Sequence, residues 1–310
     1  MHAVSHALSS IRQWPLDKQL TLLFPAIVTL VTLLSGVIQQ WQPAQNKAAL
    51  TGAALFLLML LTARAALQQQ RLPPRWQWLL REFWPVPAML LGYLTMRVFR
   101  LELLLDNLQL PLRDQWMLAF DTRVFGQALP LWLEPLVSPL MTLWMESSYL
   151  HFYYALPIGS LLWLFWREQY ADFIRLRQAV IYTLCSGFVL YFFIPVKGPG
   201  DAMPELFSVS LGARDTVMYD AVNSFRYAYD CFPSLHTAIP WVTLLTCWRL
   251  YSPSARPLVL FMTLSITLST LYLRYHYGAD VLAGLVLAAL IATVVNGLNS
   301  ATPQRSTAVA

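Results

Sequence analysis

Long apolar runs, separated by short polar and mostly basic connections, dominate this chain. Runs of about 17–25 residues can cross a bilayer core as helices. Candidates fall at Leu20–Ile38, Ala48–Leu67, Trp84–Leu105, Tyr149–Trp166, Gln178–Pro195, Pro233–Trp248, Pro257–Leu273 and Gly278–Gly297. The pattern predicts an all-α fold, a polytopic integral membrane bundle of about eight transmembrane helices. Pro85, Pro87, Pro157, Pro195, Pro233, Pro240 and Pro257 sit mostly near run ends, where a lost helix hydrogen bond is tolerated. Trp76, Trp78, Trp84, Trp163 and Trp166 crowd the boundaries, as interfacial anchoring predicts. No small-residue cleavage site follows the first run, so it is expected to remain as an anchor. Residues 300–310 read as a disordered tail, and 1–310 as a single membrane domain.

Composition and charge sharpen this picture. Of the 310 residues, 57% are hydrophobic and only 12% charged, against about a quarter charged in soluble proteins. The formal charge of +5 lies in short clusters between apolar runs. That distribution orients a membrane protein and does not make a nucleic-acid face. With the N-terminus inside, the inner connections carry Arg64, Arg71, Arg75, Arg81, Arg167, Arg175, Arg177, Arg249 and Arg256. An even number of spans returns the C-terminus to the same side. A bacterial inner membrane, with cytoplasmic termini and the polar segments around 196–232 and 274–277 facing outward, fits the short inner loops. Cys185, Cys231 and Cys247 form no CxxC pair, which speaks against a disulfide framework or a thiolate metal site.

Residues 106–146 interleave Trp116, Phe120, Phe125 and Trp132 with Arg113, Asp114, Asp121 and Arg123. They read either as amphipathic helices on the outer surface, capping a site, or as an ordinary folded loop.

The chemistry concentrates in three outer segments. Pro233-Ser234-Leu235-His236 opens an apolar run as a helix start, with Ser234 as cap and His236 in the first turn. Unpaired N–H groups and the helix dipole make such a start an anion site; the plainer alternative is an interfacial histidine. In Arg274-Tyr275-His276-Tyr277-Gly278-Ala279-Asp280, the i, i+4 spacing lets Asp280 take a hydrogen bond from one ring nitrogen of His276. The other nitrogen is then available as a nucleophile, unless the pair merely ties two helix ends. Gly278 and Gly284 permit close packing of the last helix. Lys197, in Ile194-Pro195-Val196-Lys197-Gly198-Pro199-Gly200, can offer an ammonium and backbone N–H groups to phosphate, or simply snorkel. His151 reads as an interfacial packing residue.

A phosphoryl group needs cations around its equatorial oxygens, an in-line nucleophile and an acid for the leaving group. Lys197 and Arg274 supply charge, His276 the nucleophile and His236 the acid, with no cofactor and no metal required. A His/His/Asp zinc site is a rival use of the same residues, but compact ligand spacing is lacking and the flanking cations oppose a dication.

These motifs resemble the type 2 phosphatidic acid phosphatase superfamily over roughly residues 110–290. Phe232–His236, Tyr272–Gly284 and the segment Asp121–Gly126 look most like its inositol phosphorylceramide synthase branch. The resemblance implies a phosphohistidine at His276 partnered by Asp280, with His236 as proton donor and with Ser234 and Lys197 holding phosphate. Two departures stand out. The Ser-Arg pair that opens the family's third motif falls at Ser269-Thr270, so its arginine is missing, with Arg274 a possible substitute. The first motif retains Lys197 as its only cation, and Arg226 can compensate from the loop. The expectation is a lipid phosphatase or phosphotransferase acting on phosphatidate, a polyprenyl diphosphate or a phospholipid head group. Its partners are then a lipid phosphate or diphosphate and membrane lipids, not nucleic acid. A non-catalytic lipid-phosphate binder or transporter is the alternative.

Overall fold

The computed structural model describes residues 13–34, 72–98, 100–211 and 224–301, with scattered positions between 47 and 61. Helix makes up 78% of it, and no strand occurs among the described residues, so the chain is all-α. The described residues divide into two compact units, one up to Leu104 and one from Leu105 onward.

The first unit holds α1 (Leu16–Leu34), α2 (Pro74–Phe83), α3 (Pro85–Val98) and the start of α4 (Leu101–Asn107). Helices α1 and α3 pack together, and Lys18 pairs with Glu82 at 2.8 Å, both largely buried. The run Trp84–Leu105 is therefore not one helix. It breaks at Arg100, whose φ of +50° lies in the left-handed region and cannot continue a right-handed helix. Most of the Ala48–Leu67 run, the end of Leu20–Ile38 and the tail beyond 301 lie outside the described residues.

The second unit carries α5 (Asp114–Phe125), a 3-10 segment (Leu129–Leu136), α6 (Pro139–Ser147) and a π-turn (Ser148–Phe152). After these come α7 (Tyr153–Trp166), α8 (Tyr170–Phe193), α9 (Leu235–Cys247), α10 (Arg256–Tyr272) and α11 (Gly278–Ala301). At the centre, α9 is packed by α11, α8, α10 and α7. Its apolar residues face inward on most sides, with Leu235, Ala238, Ile239, Val242, Leu244 and Cys247 all buried. Gly284 of α11 lies under the start of α9, where a Cβ would come 2.5 Å from Ser234 O. Only a glycine admits that approach, so the small residue sets the spacing of the two helices that carry the candidate motifs.

The outer surface of this unit is apolar. Leu282, Val286, Leu290, Val294 and Leu298 form an exposed row along α11, and Leu258, Phe261, Leu264 and Leu268 another along α10. Contiguous apolar faces of this kind are not sustained against water. Among the described residues two helices, Tyr170–Phe193 and Gly278–Leu298, are long and apolar enough to cross a membrane, whereas α9 and α10 are apolar but shorter. At 1.5 Å per residue, α9 extends about 20 Å, less than the ~30 Å hydrocarbon core. Helix α8 starts earlier than its apolar run. Arg175 and Arg177 thus ride in the helix and not in a connecting loop, with Arg177 fully buried and Arg175 paired to Asp172.

Candidate functional site

The start of α9 forms as its sequence dictates. Ser234 is the N-cap, its Oγ accepting hydrogen bonds from Thr237 N at 3.2 Å and Thr237 Oγ1 at 3.1 Å. Its own hydroxyl hydrogen remains to donate, and its N–H donates to Asp280 O at 3.0 Å. His236 follows in the first turn, half-buried. Its imidazole stacks on Tyr149 at 3.8 Å and on Tyr153 at 3.9 Å between ring centroids. Two rings this close and this parallel must occupy opposite faces of the imidazole.

His276 precedes α11 in a loop anchored by backbone bonds, the N–H groups of Tyr275 and His276 both donating to Thr270 O. The missing family arginine would fall at this buried threonine. Asp280 occupies the third position of α11 and accepts the Tyr277 N–H at 2.9 Å through Oδ2, one half of a capping box. The same oxygen lies 3.5 Å from His276 Nδ1. That separation is too long for a formed hydrogen bond, and His276 Nδ1 and Asp280 Oδ1 have no hydrogen-bond partner among the described residues. Catalytic bonds of this type commonly tighten only when substrate binds. Burial, against the opposing pull of Asp230, holds the imidazole of His276 down at about 3. The ring is therefore neutral at pH 7, the state a nucleophile requires.

Arg226 joins the segments. It donates to Asp230 and Asp201 at 2.8 Å each, to Lys197 O at 2.6 Å and to Cys231 Sγ at 3.3 Å, and its guanidinium lies 5.0 Å from the Tyr275 ring centroid. Burial works against its charge, but Asp230, Cys231 and Asp201 outweigh it and hold the group protonated beyond its ordinary range. Both His236 and His276 lie within its electrostatic reach. Lys197 reaches this loop through the bridge between Val196 and Asp230, with its ammonium 5.8 Å from the Tyr229 ring centroid.

Two expectations change here. The N–H groups of Lys197 and Gly198 point to the buried carboxylate of Asp114, at 3.1 and 2.9 Å, so the turn's amides are already satisfied and not presented to a phosphate. The guanidinium of Arg274 turns to Glu134 at 3.4 Å, to Val209 O at 2.5 Å and over the Phe207 ring. It braces the 207–211 segment.

Asp114 and Asp121 are the residues whose role was not legible in the sequence. They lie seven positions apart on the inner face of α5, both buried. Asp121 accepts from Gly278 N at 2.8 Å, Ala279 N at 2.9 Å and Leu129 N at 2.9 Å, capping α11 from another helix. Asp114 also takes the Tyr277 hydroxyl at 3.2 Å. The outer face of α5 is the apolar one, with Trp116, Phe120 and Val124 exposed. An amphipathic helix with its carboxylates inward and its aromatics outward is a signal the sequence did carry, once the surroundings are apolar.

Cys231, His276 and Asp280 place one donor atom each within 4.8 Å of one another. The Cys231 thiol donates to Tyr275 O at 3.0 Å, burial pushes its pKa up, and the Arg226 guanidinium stands beside the sulfur. A protonated thiol next to a fixed cation is a poor ligand set for a dication.

A neutral buried histidine beside a carboxylate, with a second histidine and a buried guanidinium close by, is a site suited to phosphoryl groups. Residues 115–294, more than half of the chain, match the PAP2 superfamily, and the chain belongs to it. Membership points to phosphatase or phosphotransferase chemistry on lipid phosphates. No curated protein and no solved structure matches the chain.

Proposed function

We propose that this protein is an integral membrane enzyme that cleaves or transfers the phosphoryl group of a lipid phosphate or diphosphate through a phosphohistidine at His276. The observation that carries the reading is the buried, neutral imidazole of His276 with its Nδ1 3.5 Å from Asp280. In the first step the ring nitrogen opposite Nδ1 attacks phosphorus. The P–O bond to the leaving group breaks, and the departing oxygen takes a proton from His236. In the second step water or an alcohol attacks the phosphohistidine, giving its proton to His236 as the N–P bond breaks. Asp280 holds the tautomer and steadies the positive charge that develops on the ring. Lys197 and the hydroxyl of Ser234 hold the phosphoryl oxygens, Arg226 adds positive charge beside them from its ion-paired position, and Arg274 contributes by fixing the loop.

The exposed aliphatic rows of α10 and α11 support a lipid surround. With about eight spans the site lies on the outer face of a bacterial inner membrane and the termini are cytoplasmic. Water as acceptor makes the enzyme a phosphatase, and an alcohol makes it a transferase of the kind the inositol phosphorylceramide synthase likeness implies.

The test is phosphate release from detergent-purified protein with a panel of lipid phosphates and diphosphates, EDTA present and His276→Ala alongside. Acid-labile, base-stable phosphate on the wild-type chain, absent in the variant, is the expected result. Loss of activity on adding EDTA would overturn the mechanism. Undiminished lipid-phosphate binding with no turnover and no phosphoenzyme would favour a non-catalytic binder, a reading the threonine at position 270 supports.

A further inference from the structure

His236 is held in a way that its helix position does not require. The first turn of α9 fixes its backbone, yet the ring is also enclosed by Tyr149 at an interplanar angle of 10° and Tyr153 at 26°. Both tyrosines are buried. They lie four residues apart across the π-turn Ser148–Phe152, a rare geometry that is concentrated at functional sites. The π-turn is itself pinned. Ser148 Oγ lies 2.8 Å from Ser265 Oγ, which also accepts the Trp144 indole N–H at 3.0 Å. Tyr149 then continues to Tyr275, 4.8 Å away, the residue before His276. Tyr275 in turn lies under Arg226. One aromatic file thus runs from Tyr153 through His236, Tyr149 and Tyr275 to Arg226, and it sets the two histidine segments relative to each other.

We propose that Tyr149 and Tyr153 are positioning residues that confine the His236 ring to one plane, so that an edge nitrogen meets the leaving-group oxygen. With both faces covered, the ring cannot tip, and what exposure the half-buried residue keeps is left to the ring edge. The inference rests on the assignment of His236 as the acid, and its test separates the two.

The test compares single-turnover phosphorylation of the full chain by an alkyl lipid phosphate and by p-nitrophenyl phosphate in detergent micelles, which reads the first step apart from the hydrolysis that both substrates share. A poor alkoxide leaving group needs the acid; p-nitrophenolate leaves without one. General acid catalysis contributes about 10²–10⁴-fold, so His236→Ala should lose about that much on the alkyl substrate and far less on the aryl one. Tyr149→Leu and Tyr153→Leu should show the same split, a fall in the phosphorylation rate constant of roughly 10- to 100-fold on the lipid phosphate with half-saturation little changed. On the aryl substrate they should lose less than about 3-fold. Tyr149→Phe and Tyr153→Phe keep the ring face and should stay within about 2-fold on both.

Equal losses on the two substrates in the leucine variants would reduce the tyrosines to packing residues and overturn the proposal. So would wild-type activity in those variants, or large losses in the phenylalanine ones. If His236→Ala itself loses equally on both substrates, the acid assignment fails first, whatever the tyrosines do. Retained aryl phosphorylation reports that a variant is folded. Tyr149→Met and Tyr153→Met, which fill volume without a π face, replace any leucine variant that does not fold.

Discussion

The two histidine segments of the second unit are fixed by opposite means. His236 stands on a helix, where the backbone is satisfied by its own hydrogen bonds and a serine cap, and what remains is to set the ring by apolar faces. His276 stands in a loop, where backbone N–H groups have no helical partners. Each must find an acceptor when buried. Thr270 O takes two of them, Asp280 takes Tyr277 N, and Asp121 takes the first two of α11. Buried carboxylates are costly unless paired, but a helix N-terminus offers both N–H donors and the favourable end of the dipole. A helix-borne histidine is set by packing; a loop-borne one needs acceptors for its backbone.

The largest expected effect comes from breaking the loop side at its reacting atom. His276→Ala should lower turnover by about 10⁴-fold or more, as removal of a covalent nucleophile does, measured as phosphate release and phosphoenzyme formation. Next is the carboxylate that holds the loop. Asp121→Ala leaves the buried N–H groups of Gly278, Ala279 and Leu129 without their acceptor, which should destabilise the second unit by about 2–4 kcal/mol. Thermal unfolding in detergent reads this, and Asp121→Asn should be milder because its carbonyl still accepts. Asp114→Asn should cost about 1–2 kcal/mol, through weaker bonds to Lys197 N, Gly198 N and the Tyr277 hydroxyl.

A pH titration sharpens the same contrast. The folded His276 ring titrates near 3, while an unfolded histidine titrates near 6.5. The unfolded chain therefore binds a proton that the folded one refuses. The stability contribution is present above about 6.5 and is lost as pH falls toward 3. Unfolding temperature should drop over that window, and His276→Gln should flatten the drop. The smallest effect belongs to the exposed apolar side of α5. Trp116 is exposed, and Trp116→Leu should change stability by no more than about 0.5 kcal/mol. A larger change would mean that α5 is held from outside as well as by its two carboxylates.

Apolar periodicity made the helical class legible, as did the ends of α8, α10 and α11 to within a few residues, apart from the early start of α8. The helix start at Ser234 and the i, i+4 pair His276–Asp280 were legible because both are local, set by contacts within one turn. The break at Arg100 was not, since a left-handed residue inside an apolar run leaves no composition signal. Arg274 and Lys197 carried the right charge for a phosphate site. Which way a guanidinium points depends on acceptors such as Glu134 and Val209, 140 and 65 residues away.

The sequence by itself determined an all-helical, largely apolar chain and the local placing of His236, His276, Asp280 and the helix start at Ser234, because periodicity and short-range spacing specify those features. Only the tertiary structure decided that Asp121 caps α11, that Asp114 occupies the Lys197–Gly198 amides, that Arg226 binds three segments together and that two tyrosines enclose His236. Each of these joins residues far apart in the chain, and such contacts are selected by the shape of the packed bundle and the need to satisfy buried polar groups within it.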